Sequence, residues 1–330
     1  MASKSKGTDE VKGWYHRTCT APGRLDSKLA VVTGASTGIG EATAAELARR
    51  GCKVIMACRD LKRAQAAVDR ILDKYGPSKP DGVKLDVADS SVIQYLSVVQ
   101  PEQLVLELLD LASLQSVRQF ASRMLSKYNK LDFLINNAGV AINDYTSSVD
   151  GFEMTMATNH LGPFLLTEQL LPMLKRAAPS RIINVSSLAH SFSKQWKPQI
   201  FIPAKEYSIV KAYSWSKLAN VMHARELSRR LEGTGVIAVS LHPGSVKTEL
   251  ARDWHGFLAA FCMTISRPTL ITPWQGAQTT MYTVLSSNLV PGCYYSNCAV
   301  KTPSSTALNN EDCKWLWEKS CELVGASSTE

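Results

Sequence analysis

Short apolar runs rich in β-branched residues alternate along this chain with segments in which apolar residues recur at helical spacing. The first pattern predicts strands and the second predicts helices. The predicted strands are Lys28–Thr33, Lys53–Ala57, Leu104–Leu109, Leu131–Asn136, Arg181–Ser186, Val236–Leu241 and a short one at Gly292–Tyr295. The predicted helices are Glu41–Arg50, Leu61–Tyr75, Ser113–Tyr128, Gly151–Ala178 (mostly helical), Tyr213–Leu231 and Cys313–Val324.

This alternation predicts an α/β fold in which helices cover both faces of a doubly wound, mainly parallel sheet. Residues 1–27 have the character of a tail that ends in Ala-Pro-Gly, and no clean linker interrupts the rest. We therefore expect one domain over residues 28–330.

The segment Gly76–Gln103 interrupts the alternation, and its length is typical of an insertion or a functional loop. Leu85-Asp86-Val87-Ala88 in this segment resembles the later Leu109-Asp110-Leu111-Ala112. Either aspartate could end the third strand. We prefer Asp110, because the distance from it to Asn137 leaves room for one helix and one strand. Residues 76–103 are then an insertion of unknown role.

The composition is that of a soluble globular protein, with 45% hydrophobic and 20% charged residues among 330. The net charge is +8, but the densest basic windows lie on predicted helices. An anionic cofactor explains this excess better than nucleic acid, which we do not expect as a partner.

Eight cysteines occur without CxxC or zinc-site spacing, so we expect reduced thiols, no metal site and a cytoplasmic location. The N-terminal residues carry no signal-peptide pattern, and no apolar stretch reaches membrane-spanning length. Residues Gly256–Ile265 are apolar but short. They predict a core or substrate-pocket helix, and peripheral membrane contact is the alternative.

A glycine-rich turn, Thr33-Gly34-Ala35-Ser36-Thr37-Gly38-Ile39-Gly40, joins the first strand to the first helix. Glycines let backbone N–H groups approach a pyrophosphate, and the helix directs its positive end toward the phosphates. The turn therefore predicts a dinucleotide site; a tight turn without a ligand is the structural alternative.

The second strand ends in Cys58-Arg59-Asp60, where NAD-binding proteins usually place a carboxylate. Arg59 suits the 2′-phosphate of NADP, because a guanidinium donates forked hydrogen bonds to phosphate oxygens. The alternative is a solvated Arg59 with Asp60 on the ribose. We expect NADP(H) as the cofactor.

Further motifs follow in a fixed order along the chain: Asn136-Asn137-Ala138-Gly139, Thr158-Asn159-His160-Leu161-Gly162, Asn184-Val185-Ser186-Ser187, Tyr213-Ser214-Trp215-Ser216-Lys217 and His242-Pro243-Gly244-Ser245-Val246-Lys247-Thr248. Together with the glycine-rich turn, they make the sequence resemble the short-chain dehydrogenase/reductase family over residues 28–325. Within it, the chain is most similar to the retinol dehydrogenase and carbonyl reductase branch. The resemblance implies a Rossmann-like domain. Members of that branch often carry an N-terminal membrane anchor, for which this sequence shows no pattern.

The resemblance implies a catalytic set of Tyr213, Lys217, Ser187 and Asn159. Tyr213 would exchange a proton with the substrate oxygen, and Lys217 would lower its pKa. Ser187, the second serine of its pair, would stabilise developing charge on that oxygen, and Asn159 would hold a water that links Lys217 to solvent. The structural alternatives are a surface tyrosine, a solvated lysine, a strand-end serine and a capping asparagine.

The resemblance also implies a set of cofactor-binding residues. These would be Gly34, Ser36, Thr37, Gly38, Ile39, Gly40, Arg59, Asp110, Leu111, Asn137, Ala138, Gly139, Tyr213, Lys217, Pro243, Gly244, Val246 and Thr248. We favour packing or local hydrogen bonds over proton shuttling for His160, His190 and His242.

Aromatic and apolar residues follow Ser187 and the His242–Thr248 motif, for example Phe192, Trp196, Trp254 and Phe257. They favour an apolar substrate such as a retinoid, steroid or lipid carbonyl, although they could instead pack together or form a dimer surface. Separately, members of the family that the sequence resembles often form homodimers through a four-helix interface, which the resemblance would place here at Ser113–Tyr128 and Gly151–Ala178.

The sequence as a whole therefore predicts an NADP(H)-dependent oxidoreductase that interconverts an apolar alcohol and its carbonyl, working as a reductase. One alternative is a non-catalytic NADP-binding scaffold or sensor. Another is a double-bond reductase of the protochlorophyllide reductase type.

Overall fold

A computed structural model describes residues 17–87, 89–193, 199–246 and 270–326. The strands are β1 (Leu29–Thr33), β2 (Lys53–Cys58), β3 (Leu104–Leu108), β4 (Phe133–Asn136), β5 (Ser180–Val185), β6 (Val236–His242), β7 (Tyr294–Ser296) and β8 (Ala299–Lys301). The helices are α1 (Gly38–Arg49), α2 (Leu61–Tyr75), α3 (Leu114–Lys127), α4 (Met154–Met156), α5 (Gly162–Arg176), α6 (Ile209–Arg230), α7 (Pro273–Leu285), α8 (Ser305–Leu308) and α9 (Asn310–Val324).

The strands form one sheet in the order β3-β2-β1-β4-β5-β6-β7-β8. Every neighbouring pair is parallel except β7 and β8, which form an antiparallel edge. The central strands are buried on both faces, as their continuous apolar runs predict. The predicted α/β fold with a mainly parallel sheet is confirmed.

Two apolar layers hold helices against the sheet. Side chains of α3, α5, α6 and α9 pack on one face, and those of α1, α2 and α7 pack on the other. The strand order reverses between β1 and β4, because β2 flanks β1 on one side and β4 flanks it on the other. This reversal opens a crevice at the carboxyl ends of the strands, where α/β proteins bind ligands.

Several boundaries differ from the sequence predictions. Helix α1 begins at Gly38, because the last residues of the glycine-rich turn already form its first turn. Helix α6 begins one turn before Tyr213, at Ile209. The segment predicted as Gly151–Ala178 becomes helical only at Met154, and a π-helical turn, Ala157–Leu161, joins α4 to α5.

The described part of the predicted tail packs on the domain. Cys19, Ala21 and Leu25 are buried in the layer that α1 and α7 share. The backbone N–H of Cys19 donates to Gln278 at 3.1 Å, and that of Arg17 donates to Asn297 at 2.6 Å. These residues therefore join the first described segment to the last part of the chain.

Residues 76–103 form three short 3-10 turns at the amino ends of the strands, on the opposite side from the crevice. These turns are Pro80–Lys84, Ser90–Tyr95 and Pro101–Gln103. Arg49, at the end of α1, donates to the carbonyl oxygens of Val83, Leu85 and Asp86 at 2.9, 2.6 and 3.2 Å. The third strand ends before Asp110, as predicted, whereas Asp86 pairs with Lys74.

Candidate active site

A cleft of about 340 Å³ lies in the crevice at the carboxyl ends of the strands. Most of the predicted cofactor-binding residues line it: Gly34, Ser36, Thr37, Gly38, Ile39, Gly40, Arg59, Asp110, Leu111, Asn137, Ala138, Gly139, Tyr213, Lys217 and Pro243. The fold therefore brings together residues as far apart in the sequence as Gly34 and Pro243.

The glycine-rich turn fits tightly against the segment that follows β4. Gly34 has φ +66°, and a Cβ there would lie 2.9 Å from the Cα of Ala138. A Cβ at Gly40 would lie 2.3 Å from the carbonyl oxygen of Gly34. Larger residues would force the turn away from β4, so these glycines set the width of the cleft.

Asn137 holds this turn from the other side. Its backbone N–H donates to Thr33 Oγ1 at 3.0 Å, and its Nδ2 donates to the Thr33 carbonyl oxygen at 2.9 Å. Asn137 thus has a structural part in the cleft in addition to its predicted role as a cofactor-binding residue.

The amino end of α1 faces the cleft through Thr37, Gly38 and Ile39. Thr37 caps the helix without a side-chain hydrogen bond, so the first N–H groups are not covered by its hydroxyl. Backbone N–H groups beside a glycine-rich turn suit a pyrophosphate in charge and shape. The residues present therefore fit a dinucleotide.

Two arginines line the cleft next to the end of β2. They are Arg59 and Arg63, which lie four residues apart across the start of α2. The carboxylate of Asp60 accepts from the backbone N–H groups of Lys62 and Arg63 at 2.9 and 3.0 Å and so caps that helix. The side chains that line the cleft at the end of β2 therefore include two guanidinium cations.

The four predicted catalytic residues lie at neighbouring positions. Lys217 Nζ is 5.5 Å from the centre of the Tyr213 ring, one turn away on α6, and donates to the Val185 carbonyl oxygen at 3.0 Å. Ser187 lies close enough to Tyr213 to counteract the rise in the pKa of its phenol. A Cβ at Gly139 would lie 3.1 Å from Lys217 Nζ and 3.5 Å from Asn159 Oδ1, so both groups border the same glycine.

The two serines after β5 have different partners. The hydroxyl of Ser186 is buried and donates to the Lys217 carbonyl oxygen at 2.6 Å. Ser187 is half-buried, accepts from the Ala189 N–H at 3.2 Å and faces Tyr213. Ser186 is thus engaged with the backbone of α6, whereas the Ser187 hydroxyl is the one nearer to Tyr213.

Asn159 lies in the π-helical turn, whose extra residue turns its side chain toward the segment after β4. Its Oδ1 accepts from the Val140 N–H at 2.8 Å, and its Nδ2 donates to the Val140 carbonyl oxygen and to Ser216 Oγ, each at 2.9 Å. Asn159 therefore joins the Val140 backbone to α6 beside Lys217.

Burial shifts the pKa values of the central pair in opposite directions. It raises the pKa of Tyr213 to about 12, and the hydrogen bond from Ser187 opposes that rise. It lowers the pKa of Lys217 to about 8. The Tyr213 phenol is thus held in its protonated form in this structure, contrary to the lowered pKa that a lysine one turn away predicts.

The segment after β6 supplies the opposite wall. Pro243 lines the cleft, and Gly244 has φ +97°. Val246 pairs with Ile271 and contacts the first turns of α7, where a Cβ on Gly276 would lie 2.5 Å from it. Thr248, Trp196, Trp254, Phe257 and residues Gly256–Ile265 lie outside the described residues.

Comparison with known proteins bears on this arrangement. The family model for short chain dehydrogenase matches residues 28–103 and 98–257. This chain belongs to the short-chain dehydrogenase family. As a short-chain dehydrogenase it is an oxidoreductase, and the family uses NAD(P)(H).

Its relatives place this short-chain dehydrogenase near the retinol dehydrogenases. Retinol dehydrogenase 12 of Bos taurus is 41% identical over 309 residues, which cover 93% of this chain and 89% of that protein. Retinol dehydrogenase 11 of Homo sapiens is 40% identical over 314 residues, with the same coverage. The structure of NADPH-bound carbonyl reductase from chicken fatty liver has a TM-score of 0.59 at 25% identity and covers 85% of this chain and 96% of that one.

Some lining residues of the short-chain dehydrogenase site were not predicted. They are Ala57, Cys58, Arg63, Leu109, Val140, Ala141, Ile142, Thr158, Val185 and Ser186. Most lie next to a predicted motif residue. Helical spacing from Arg59 could not predict Arg63, because α2 begins only at Leu61 and Asp60 before it has an extended backbone.

No helix in the described ranges is long and apolar enough to cross a membrane.

Proposed function

We propose that this short-chain dehydrogenase interconverts an apolar alcohol and its aldehyde or ketone with NADP(H), working as a reductase. The observation that carries the proposal is that Tyr213 and Lys217 line the cleft together, with Ser187 beside Tyr213. Tyr213 is a protonated phenol, Ser187 is a hydroxyl donor beside it, and Lys217 is a cation one turn away.

The roles of these groups follow from their chemistry. When bound, the nicotinamide supplies the hydride that reduces the carbonyl carbon. Tyr213 gives its phenolic proton to the carbonyl oxygen, which becomes the alcohol, and Ser187 donates a hydrogen bond to the same oxygen while negative charge develops there. Lys217 stabilises the remaining phenolate, which regains a proton from solvent.

The preference for NADP(H) is supported by the charges at the end of β2. Arg59 and Arg63 both line the cleft, and the carboxylate of Asp60 is occupied as a helix cap. Two guanidinium groups favour a dianionic 2′-phosphate over the bare hydroxyls of NAD.

An apolar substrate is supported by the side chains near Ser187. Leu188 and Phe192 lie one and five residues after it and are 56% and 67% exposed, an unusual environment for large apolar groups. Ala141 and Ile142 add apolar lining to the cleft. A retinoid or another long apolar carbonyl would cover this surface, which agrees with the names of the relatives.

The test is the loss of NADPH absorbance with all-trans-retinal and a panel of apolar ketones and aldehydes. Tyr213→Phe is the matched variant, because it removes only the proton donor. We expect turnover with NADPH, and a loss of at least about 10²-fold in kcat in the variant with NADPH binding retained.

Other results would favour the alternatives. Tight NADPH binding without turnover on any carbonyl would favour a non-catalytic scaffold or sensor. Consumption of NADPH with saturation of a conjugated double bond, seen by product analysis, would favour a double-bond reductase. Absence of NADPH binding would overturn the site assignment.

A further inference from the structure

His190 lies in the short 3-10 turn Leu188–Phe192, three residues after Ser187, and is only 1% exposed. Both ring nitrogens have backbone partners. Nδ1 lies 2.7 Å from the Ser187 carbonyl oxygen, and the Ser304 N–H donates to Nε2 at 3.1 Å. The imidazole therefore connects the turn that carries Ser187 to the segment that enters α8.

These two partners determine where the ring proton sits. A carbonyl oxygen can only accept a hydrogen bond and an amide N–H can only donate one, so Nδ1 carries the proton and Nε2 presents its lone pair. Burial lowers the pKa of His190 and favours this neutral form. The Tyr294 ring on β7, 4.8 Å away between centres, covers the imidazole.

We propose that His190 is a positioning residue. Its imidazole connects the backbone of Ser187 to that of Ser304 and so keeps the Ser187 hydroxyl next to the Tyr213 phenol. The inference rests on the proposed function, in which Ser187 and Tyr213 act on the substrate oxygen. It adds a residue that touches neither substrate nor cofactor and acts through Ser187.

The surroundings of the turn support this role. On one side the Leu188 N–H donates to His242 Nδ1 at 3.2 Å, which attaches the turn to the end of β6. On the other side His190 attaches it to the C-terminal segment. Ser187 thus sits at the start of a turn that is held from two directions, and removing one support leaves its hydroxyl free to shift relative to Tyr213.

Substitutions can separate the two hydrogen bonds. His190→Asn places an amide nitrogen close to the position of Nδ1 and keeps a donor for Ser187, but it has no atom at Nε2. His190→Leu removes both bonds. Ser304→Pro deletes the N–H donor, and the backbone of Ser304, with φ −59° and ψ 151°, already has a proline-compatible conformation.

Ser304→Ala is the matched control. Its side-chain hydroxyl has no hydrogen-bond partner among the described residues, and the alanine variant keeps the backbone N–H. A difference between Ser304→Pro and Ser304→Ala therefore reports mainly on the N–H donor to His190.

The kinetic test measures kcat and KM with retinal, and the Kd of NADPH by its fluorescence. We expect His190→Leu and Ser304→Pro to lower kcat on the order of 10-fold while the Kd of NADPH stays within about 2-fold. His190→Asn should keep more activity than His190→Leu, and Ser304→Ala should match the wild type. Wild-type kcat in a folded His190→Leu variant, or equal losses in kcat and NADPH affinity, would overturn the positioning role.

A second readout does not depend on turnover. Nitrogen NMR of histidine-labelled protein reports the tautomer of each imidazole, and the spectrum of His190→Asn assigns the signal. We expect the proton on Nδ1, and a proton on Nε2 would overturn the bridge. A wild-type chain without turnover would instead count against the proposed function, while the tautomer would still decide the His190 contacts.

Discussion

Burial acts on Tyr213 and Lys217 in the same cleft but with opposite results, because one group is neutral when protonated and the other is charged. It raises the pKa of Tyr213 to about 12 and lowers that of Lys217 to about 8. The phenol therefore keeps its proton across the physiological range, whereas the lysine loses its charge near the upper end of it. We therefore expect the loss of charge on Lys217 to limit activity at alkaline pH.

This difference predicts a pH profile. Lys217 is charged below its pKa, so we expect kcat/KM for carbonyl reduction to be full below pH 8 and to fall as the pH rises past that value. Lys217→Arg keeps its charge at higher pH, and any activity that remains should lose this alkaline fall. The same fall in Lys217→Arg as in the wild type would contradict the assignment.

The arginines at the end of β2 predict a change in cofactor preference. Arg59→Ala and Arg63→Ala should each raise the Kd of NADPH about 10- to 100-fold and leave the Kd of NADH nearly unchanged, because each removes a charge-assisted hydrogen bond to phosphate. Lys62→Ala is the control, since Lys62 is exposed and does not line the cleft. Fluorescence titration with both cofactors measures the effect, and equal weakening of NADH would refute it.

At the scale of single residues, the positions of the motif residues in the fold could be predicted, because each residue lies at the end of a strand or on one face of a helix. Tyr213 and Lys217 share a face of α6, and Ser187 follows β5, so the alternation of elements already placed them at one edge. The two-nitrogen contact of His190 could not be predicted, because its partner Ser304 lies 114 residues away.

At the scale of elements, residues 76–103 show how a long connection between α2 and β3 is held in place. The guanidinium of Arg49 is buried, lies 4.5 Å over the Tyr75 ring and pairs with Glu46, itself 5% exposed. It donates to three carbonyl oxygens of the segment. The segment is thus fixed to the end of α1, away from the cofactor cleft.

Because Arg49 makes this attachment, we expect its substitution to lower the stability of the fold. Arg49→Met leaves the Glu46 carboxylate buried without its partner, and we expect a loss of about 3–5 kcal/mol in the free energy of unfolding in urea. Limited proteolysis within 76–103 should become faster in the same variant. Lys319→Ala, which breaks a more exposed pair with Glu322 on α9, should cost less than about 1 kcal/mol. Equal losses in the two variants would show that the attachment contributes little.

Helix α7 is an element that the sequence prediction omitted, although it carries a recognisable start. Pro273 occupies its first turn, and Thr272 and Gln275 form a reciprocal capping box. Helix α7 is buried on more than one side and packs on α1 as well as on the sheet. Its apolar residues therefore do not show the one-sided helical spacing on which the prediction relied. Strand β8 was missed because it has only three residues.

At the scale of the whole molecule, the alternation of elements predicted the doubly wound sheet, while the packing behind it depended on contacts between distant segments. His160 and His223 show this. His160 bonds Ser320 of α9 at 2.8 Å, His223 contacts Asn184 of β5 at 3.2 Å, and their rings lie 5.9 Å apart. Both are buried between helices that are far apart in the sequence.

Because these two histidines are buried, we expect the folded state to lose stability in acid. Burial lowers the pKa of His223 to about 3 and that of His160 well below its usual value, whereas both would titrate near 6.5 in the unfolded chain. Their contribution to stability is therefore full above pH 6.5 and is lost as the pH falls below it, by about 1.4 kcal/mol per pH unit for each histidine. Urea unfolding at a series of pH values measures this slope.

The control for this effect is His223→Gln, which keeps a polar side chain but does not titrate. Whatever its stability at neutral pH, its free energy of unfolding should decline less steeply below pH 6.5 than that of the wild type. Parallel slopes for the two proteins would show that His223 is not a source of the acid sensitivity.

The contacts of Arg17 and Cys19 with the last part of the chain have a consequence for synthesis. The ribosome makes Arg17 some 280 residues before its partner Asn297. The partner of Cys19, Gln278, is made after β6, and Asn297 is made only after β7. The nascent chain can therefore complete the glycine-rich turn early, but Cys19 gains its partner only when α7 has left the exit tunnel, and Arg17 only when the turn between β7 and β8 has left it.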